Sequence, residues 1–135
     1  MMEYFFNKVD NVEWKPVTIP GSKDAFIKWL VTKDHGSLSY AVRKFWVKKG
    51  GIIAKHYHKY TETVVITKGK AKICAGDKVQ VLEPNEYVFI NSFVPHYIES
   101  VGDEDLEFFC IISYEDDMSI LEYKGECPHD DVGRT

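Results

Sequence analysis

The residues best equipped for chemistry lie between Gly50 and Gly69, where His56, His58 and Glu62 follow one another at short, regular intervals. Successive side chains of a strand point to opposite faces, so His56 and His58 would share one face and Tyr57 would take the other. A further histidine, His96, follows Pro95. Three neutral imidazoles and one carboxylate that converge make a ready site for a divalent transition metal, with a net site charge of about +1. An octahedral ion held this way keeps two positions for water or substrate, an arrangement suited to non-haem iron, manganese or nickel. An open position allows Lewis-acid polarisation or activation of a bound water, and with iron the binding of dioxygen.

Each ligand has a plainer reading. A lone histidine on an apolar strand is ordinarily a hydrogen-bonded core or surface residue. Glu62, between Thr61 and Thr63, could be a surface acid. If its strand alternates, however, it points inward with Val64 and Ile66, where an unpaired charge is costly and a metal ion would remove the cost. His35 falls in a turn and is expected to be solvated. His129, within Cys127-Pro128-His129-Asp130, would contribute to a second metal site only in an ordered tail, and tails rich in Pro and Gly are more often flexible. Cys110, on an apolar strand, reads as a small core residue, with pocket lining as the alternative. Tyr57, Tyr60, Tyr87 and Tyr97 could support the ligands or move protons, although packing is the usual role of such tyrosines. No Ser-His-Asp or Cys-His spacing announces a nucleophile.

The elements that must position these residues read as strands. Ala25 to Thr32 is apolar and strand-like, with a short helix as the alternative. Leu38 to Val47 alternates, Gly50-Gly51 breaks it, and Ile52 to His58 resumes as a new strand. Glu62–Thr67, Ala71–Cys74, Lys78–Leu82, Tyr87–Ile90, His96–Val101 and Leu106–Tyr114 follow. Ala75-Gly76-Asp77 is a hairpin signal and Pro84-Asn85 a turn. Many short strands with no convincing long helix argue for a β-sandwich or small barrel.

Composition narrows the classes. A chain of 135 residues, 44% hydrophobic and 28% charged, is long enough for one domain with a real core. A net charge of −4 gives no footprint for nucleic acid. Seven acids and two bases fall between Glu115 and Thr135, which sets that stretch apart from the rest. No apolar run is long enough to span a membrane, and the polar, mixed start gives no signal peptide. Three widely spaced cysteines give no disulfide framework, and the expected compartment is a reducing cytoplasm.

The run Gly50, His56, His58, Glu62, Gly69 matches the first cupin motif, G-x5-H-x-H-x3-E-x6-G, at every fixed position. The second motif, G-x5-P-x-G-x2-H-x3-N, matches in spacing. His96 takes its ligand position, while Asn85, Asn91, Phe93 and Ser100 replace the first Gly, the Pro, the second Gly and the Asn. These replacements alter a loop near the site mouth and remove no ligand. The chain thus resembles a small single-domain cupin from Ala25 to Ser113. The resemblance implies an all-β fold, a double-stranded β-helix or jelly-roll barrel. The division that follows is an N-terminal segment 1–24 packing on a partner, a barrel 25–114, and an acidic tail 115–135.

The resemblance also implies one divalent ion (Fe, Mn, Ni or Zn) on His56, His58, Glu62 and His96. Several outcomes are known for such proteins: oxygenases, decarboxylases, sugar isomerases, lyases, and binders without turnover. The favoured expectation is an oxygenase- or decarboxylase-like metalloenzyme acting on a small polar metabolite. A non-catalytic binding or sensor module is the alternative, as is a metal-dependent isomerase or lyase. An enzyme should show further inward-facing acids or bases, whereas a binder should show an apolar, aromatic pocket. Trp29, Phe45, Trp46, Phe89, Phe93 and Phe108 could supply the latter. Tyr4, Phe5, Phe6 and Trp14 are aromatics that a lone domain has little reason to expose, so a homodimer is expected. Neither a nucleic-acid nor a membrane partner is expected.

Overall fold

A computed structural model describes residues 2–127. After a 3-10 turn at Val9–Asn11, the strands run β1 (Lys15–Pro16), β2 (Lys23–Val31), β3 (Tyr40–His58), β4 (Glu62–Lys68), β5 (Ala71–Ala75), β6 (Lys78–Leu82), β7 (Tyr87–Ile90), β8 (His96–Ser100), β9 (Leu106–Ser113) and β10 (Ile120–Glu122). All pairings are antiparallel. The sheet runs β6-β5-β8-β3-β9-β4-β7, with β2 and β10 also pairing with β3 and β1 with β2. This is the expected all-β jelly-roll barrel. The stretch 25–32 is strand, not helix, because its apolar residues pack against β3 in the register Phe26↔Trp46 and Ile27↔Phe45.

The long strand β3 departs from the sequence reading. Gly50-Gly51 does not end it, and the chain runs as one strand of 19 residues. Its first half pairs with β2 and β9, and its second half with β8 and β10, so one strand pairs with four others. The glycines make the bend between the halves possible. Gly50 has φ +79, and a Cβ on Gly51 would lie 2.6 Å from the Lys23 carbonyl oxygen. Gly69, the last motif glycine, has φ +78 and lies against the Asp105 carbonyl, where a Cβ would come within 2.6 Å.

Inward-facing residues of both halves fill the barrel. Ala41, Phe45, Val47, Ile53, Val64, Ile66, Ile98, Leu106, Phe108, Cys110 and Ile112 form one core. Phe45 and Phe108 stack at 4.9 Å between ring centroids. The face-to-face alternation of strands makes this core from residues far apart in the chain.

Two further expectations change. His35 is not simply solvated: it ends the 3-10 turn Lys33–His35, its Nδ1 accepts from Thr32 N at 3.0 Å, and its ring lies against Phe5. The cysteines, expected to give no disulfide framework, include the pair Cys74–Cys127. They are 53 residues apart in sequence. The antiparallel pairing of β10 with β3 returns the chain toward β5, a juxtaposition that no spacing reveals. His129 lies outside the described residues. Among the described residues, no helix is long and apolar enough to cross a membrane.

Candidate metal centre

A one-residue irregularity decides which way the site residues point. Along β3 the buried positions are Ala41, Arg43, Phe45, Val47, Gly51 and Ile53, then His56 and His58. The parity changes between Ile53 and His56, where the register with β8 shifts: Ile53 pairs with Ile98, but His56 pairs with His96. A bulge at Ala54–Lys55 carries the extra residue. Without it, Lys55 and Tyr57 would face the core and both histidines would face outward. His96 starts β8 directly opposite His56, and Glu62 starts β4 beside Ile90 and Ile112.

The four side chains converge. One ligand atom from each of His56, His58, Glu62 and His96 lies within 4.8 Å of the others, and all four residues are buried. Each imidazole is fixed through Nδ1 by a backbone carbonyl: His56 by Ala54 at 2.7 Å, His58 by Tyr60 at 2.8 Å, His96 by Val94 at 2.8 Å. A carbonyl can only accept, so the proton of each neutral ring sits on Nδ1 and the Nε2 lone pair turns inward. His58 Nε2 and His96 Nε2 then both meet the same oxygen, Glu62 Oε1, at 2.8 and 2.9 Å. Two lone pairs against a carboxylate oxygen repel unless a proton or a cation stands among them. The donor set therefore fits a divalent ion bound by nitrogen and oxygen.

The electrostatics follow from this geometry. Burial, reinforced by the charge of His96, pushes His56 down to about 4. Burial would also depress His96, but the Glu62 carboxylate outweighs it and raises the group above its ordinary value. Burial alone would raise Glu62, yet His96, His58 and Arg43 together hold its carboxyl well below the usual range.

Three neighbours complete the centre. Tyr60 stacks on His58 with centroids 3.6 Å apart and planes at 2°. Its burial pushes the phenol up to about 12, so it stays neutral. Cys110 donates from Sγ to Glu62 Oε2 at 3.0 Å. Arg43, only 6% exposed, donates from Nη2 to Cys110 Sγ at 2.9 Å and approaches Glu62 Oε2 at 3.9 Å. Sequence reasoning missed Arg43 altogether. The signal was present, because Arg43 has the parity of Ala41, Phe45 and Val47, which made it a cation on the core side of its strand.

Three of the four, His56, Glu62 and His96, border a cavity of about 200 Å3. Its walls are Ile27, Trp29, Phe45, Ile53, Ile98 and Phe108, and Lys15 to Ile19 and Ile120 also line it. Of the aromatics singled out in the sequence, Trp29, Phe45 and Phe108 reach this cavity. Trp46 instead stacks on Phe26 and bonds Asp105 through its indole nitrogen, while Phe89 and Phe93 are exposed. Of the tyrosines, Tyr60 alone lines the cavity, Tyr97 packs in a small cluster with Cys74 and Cys127, and Tyr87 is exposed.

The Cupin_2 family model, described as a cupin domain, matches residues 44–112. The 1-methylthio-D-xylulose 5-phosphate methylsulfurylase of Rhodospirillum rubrum is 30% identical over 84 residues, covering 62% of this chain and 54% of that protein. Mannose-1-phosphate guanylyltransferase 2 of Escherichia coli O157:H7 is 28% identical over 95 residues, covering 68% of this chain and 20% of that protein. The chain thus spans about half and about a fifth of the lengths of these curated relatives. Among solved structures, the polyketide cyclase RemF of Streptomyces resistomycificus superposes with a TM-score of 0.80 at 19% identity, covering 95% of this chain and 90% of that one. At that identity the likeness is one of fold.

Proposed function

The chain belongs to the Cupin_2 family of cupin domains, and from that premise we propose that it is a small metalloenzyme acting on a small polar metabolite. One divalent transition-metal ion, Fe, Mn, Ni or Zn, is held by His56, His58, Glu62 and His96. The observation that carries this reading is the convergence of four buried ligand atoms, with two imidazole nitrogens set against one carboxylate oxygen. When bound, such an ion supplies Lewis-acid polarisation of a substrate oxygen, or with iron a place for dioxygen, which suits an oxygenase- or decarboxylase-like reaction.

The protein's own contribution is positional. The backbone carbonyls of Ala54, Tyr60 and Val94 hold the imidazoles in one tautomer. The apolar walls exclude water and strengthen every charge interaction inside. The narrow cavity admits the reacting end of a substrate beside His56, Glu62 and His96.

A second reading has an observation in its favour. Beyond Glu62 no carboxylate lines the cavity, and most of its wall is hydrocarbon, as in a non-catalytic binding module. An isomerase or lyase needing only carbonyl polarisation would use the same site. The two curated relatives are named for sugar phosphates, so sugar phosphates belong in the substrate screen.

We also propose a homodimer, and a cytoplasmic location in which the Cys74–Cys127 pair would be reduced. The test is metal analysis of protein purified without added metal, followed by oxygen-uptake and product screens with small metabolites. Absence of a stoichiometric ion would defeat the reading. A bound ion with no turnover across the screen would favour the binding module.

A further inference from the structure

Among the described residues Arg43 is the one buried cation in the cavity wall, and its partners leave part of its guanidinium unused. Its guanidinium lies over Trp29 at 5.2 Å and Phe45 at 5.0 Å, so the plane is fixed between rings. One of its five N–H donors goes to Cys110. Its Nε is buried without a hydrogen-bond partner, one of two such side-chain atoms among the described residues. A buried charged donor left unpaired is costly, and one that lines a cavity calls for a partner there, whether water, ion or ligand.

The charge count points the same way. Among the described residues Glu62 is the only acid lining the cavity, whereas Arg43 and Lys15 are both cationic. In the metal-free protein Glu62 neutralises Arg43. Once an ion claims that carboxylate, Arg43 has no counter-charge in an apolar chamber, and ion plus guanidinium leave the site at about +2. Volume limits what can supply the missing charge. At about 200 Å3 the cavity holds only about six or seven waters, at about 30 Å3 each. That is well below the roughly 300–1,000 Å3 of a drug-sized pocket.

We propose that Arg43 is the anion anchor of this cavity and that the ligand is a short-chain carboxylate, bound by the guanidinium edge while its other end faces the four metal-ligating residues. The proposal rests on the metal reading above for its charge count. A planar guanidinium matches a carboxylate with two parallel hydrogen bonds, which makes lysine a poor replacement.

The test is calorimetric titration of the manganese-loaded full chain with malonate and with its neutral counterpart malonamide. Wild-type protein should bind malonate at least tenfold more tightly than malonamide. Arg43→Met should weaken malonate about ten- to a hundredfold, in line with the loss of a charged hydrogen bond, and leave malonamide unchanged. Arg43→Lys, which keeps the charge and guards against a misfolded Met variant, should recover only part of the loss. Metal content, measured separately, normalises each titration to the loaded fraction of the protein.

An unchanged malonate preference in Arg43→Met or Arg43→Lys would overturn the proposal, because Arg43 would then be only a counter-ion for Glu62. Inorganic phosphate binding more tightly than malonate would also overturn it. If wild-type protein held no metal, the metal reading would fail on its own measurement. Arg43-dependent malonate binding by the metal-free chain would then still sustain the anchor, and its absence would end it.

Discussion

Cys110 Sγ and Glu62 Oε2 stand 3.0 Å apart, while the other oxygen of the same carboxylate faces two imidazoles. The thiol therefore decides which way the carboxylate is turned. Groups that orient a metal ligand are commonly worth 10–100-fold in metal affinity. Cys110→Ala should weaken metal binding by about tenfold, whereas Cys110→Ser, which can still donate, should retain most of it. Competition against a chromophoric chelator measures this directly, and equal affinities for the two variants would refute the orienting role.

Loss of a ligand should have a larger effect. His56→Ala or His58→Ala should each lower metal content several-fold, since each leaves one coordination position to water. Elemental analysis of the purified variants checks it, and full occupancy in the double variant would contradict the assigned ligand set.

Acid should release the ion through His96 first. A histidine must be neutral to ligate, His96 is raised above 6.5, and His56 is lowered to about 4. Apparent metal affinity should therefore begin to fall above pH 6.5, before His56 takes up a proton. In the metal-free protein the two residues oppose each other. The unfolded chain binds a proton at His56 that the folded chain refuses, so this contribution to stability is lost as pH falls from 6.5 toward 4. The contribution of His96 is present below 6.5 and is lost as pH rises through its folded value. Glu62 stabilises above its ordinary value of 4.5, and this is lost only in stronger acid. Chelator competition between pH 5.5 and 8 reads the first effect, and melting of the stripped protein reads the others. A flat affinity down to pH 6 would remove His96 from the ligand set.

Phe93 occupies a left-handed backbone position, with φ +64, where the second motif has glycine. Its side chain is 53% exposed and has little packing to lose. Phe93→Gly should be more stable than Phe93→Ala by about 1 kcal/mol, because only glycine relieves the Cβ crowding. Urea denaturation of the pair decides it, and identical midpoints would mean that the loop carries no strain.

The N-terminal aromatics divide in two. Phe5 lies against His35 and Trp14 against Trp46, but Tyr4 is 75% and Phe6 94% exposed. Tyr4 and Phe6 should be covered by a second copy, and Phe6→Ser should loosen the dimer. Sedimentation showing a monomer of wild-type protein at micromolar concentration would count against the assembly.

The four candidate ligands were legible because His56, His58 and Glu62 are spaced locally across the end of β3 and the start of β4, and because His96 sits at a fixed distance from Asn85. Strand limits were legible where apolar residues alternated with polar ones, as in β6, or formed a short run between turn residues, as in β7. Gly50-Gly51 misled because the same residue type ends a strand in one context and bends it in another. The bulge at Ala54–Lys55 left no mark in composition, although it sets the orientation of His56 and His58. Arg43 and Cys110 gain their meaning only across strands, where β3 and β9 place them opposite each other. The Cys74–Cys127 pair depends on the path of the chain after β9, which no local pattern encodes.

The strand β10 is three residues long, and its position matters more than its length. It pairs Ile120 with His58 and Glu122 with His56, on the opposite side of β3 from β8. With β10 in place the metal-binding stretch is an interior strand. With the Cys74–Cys127 bond reduced, so that nothing tethers the fragment, a protease nick in the exposed acidic loop at Glu115–Asp117 would leave the barrel core whole but bare the backbone of His56–His58 as a free edge. Free edges recruit other chains. A clipped preparation should therefore lose protein to precipitation while the remaining soluble fraction keeps its strand content, and the first region to gain amide exchange should be the one that carries the ligands.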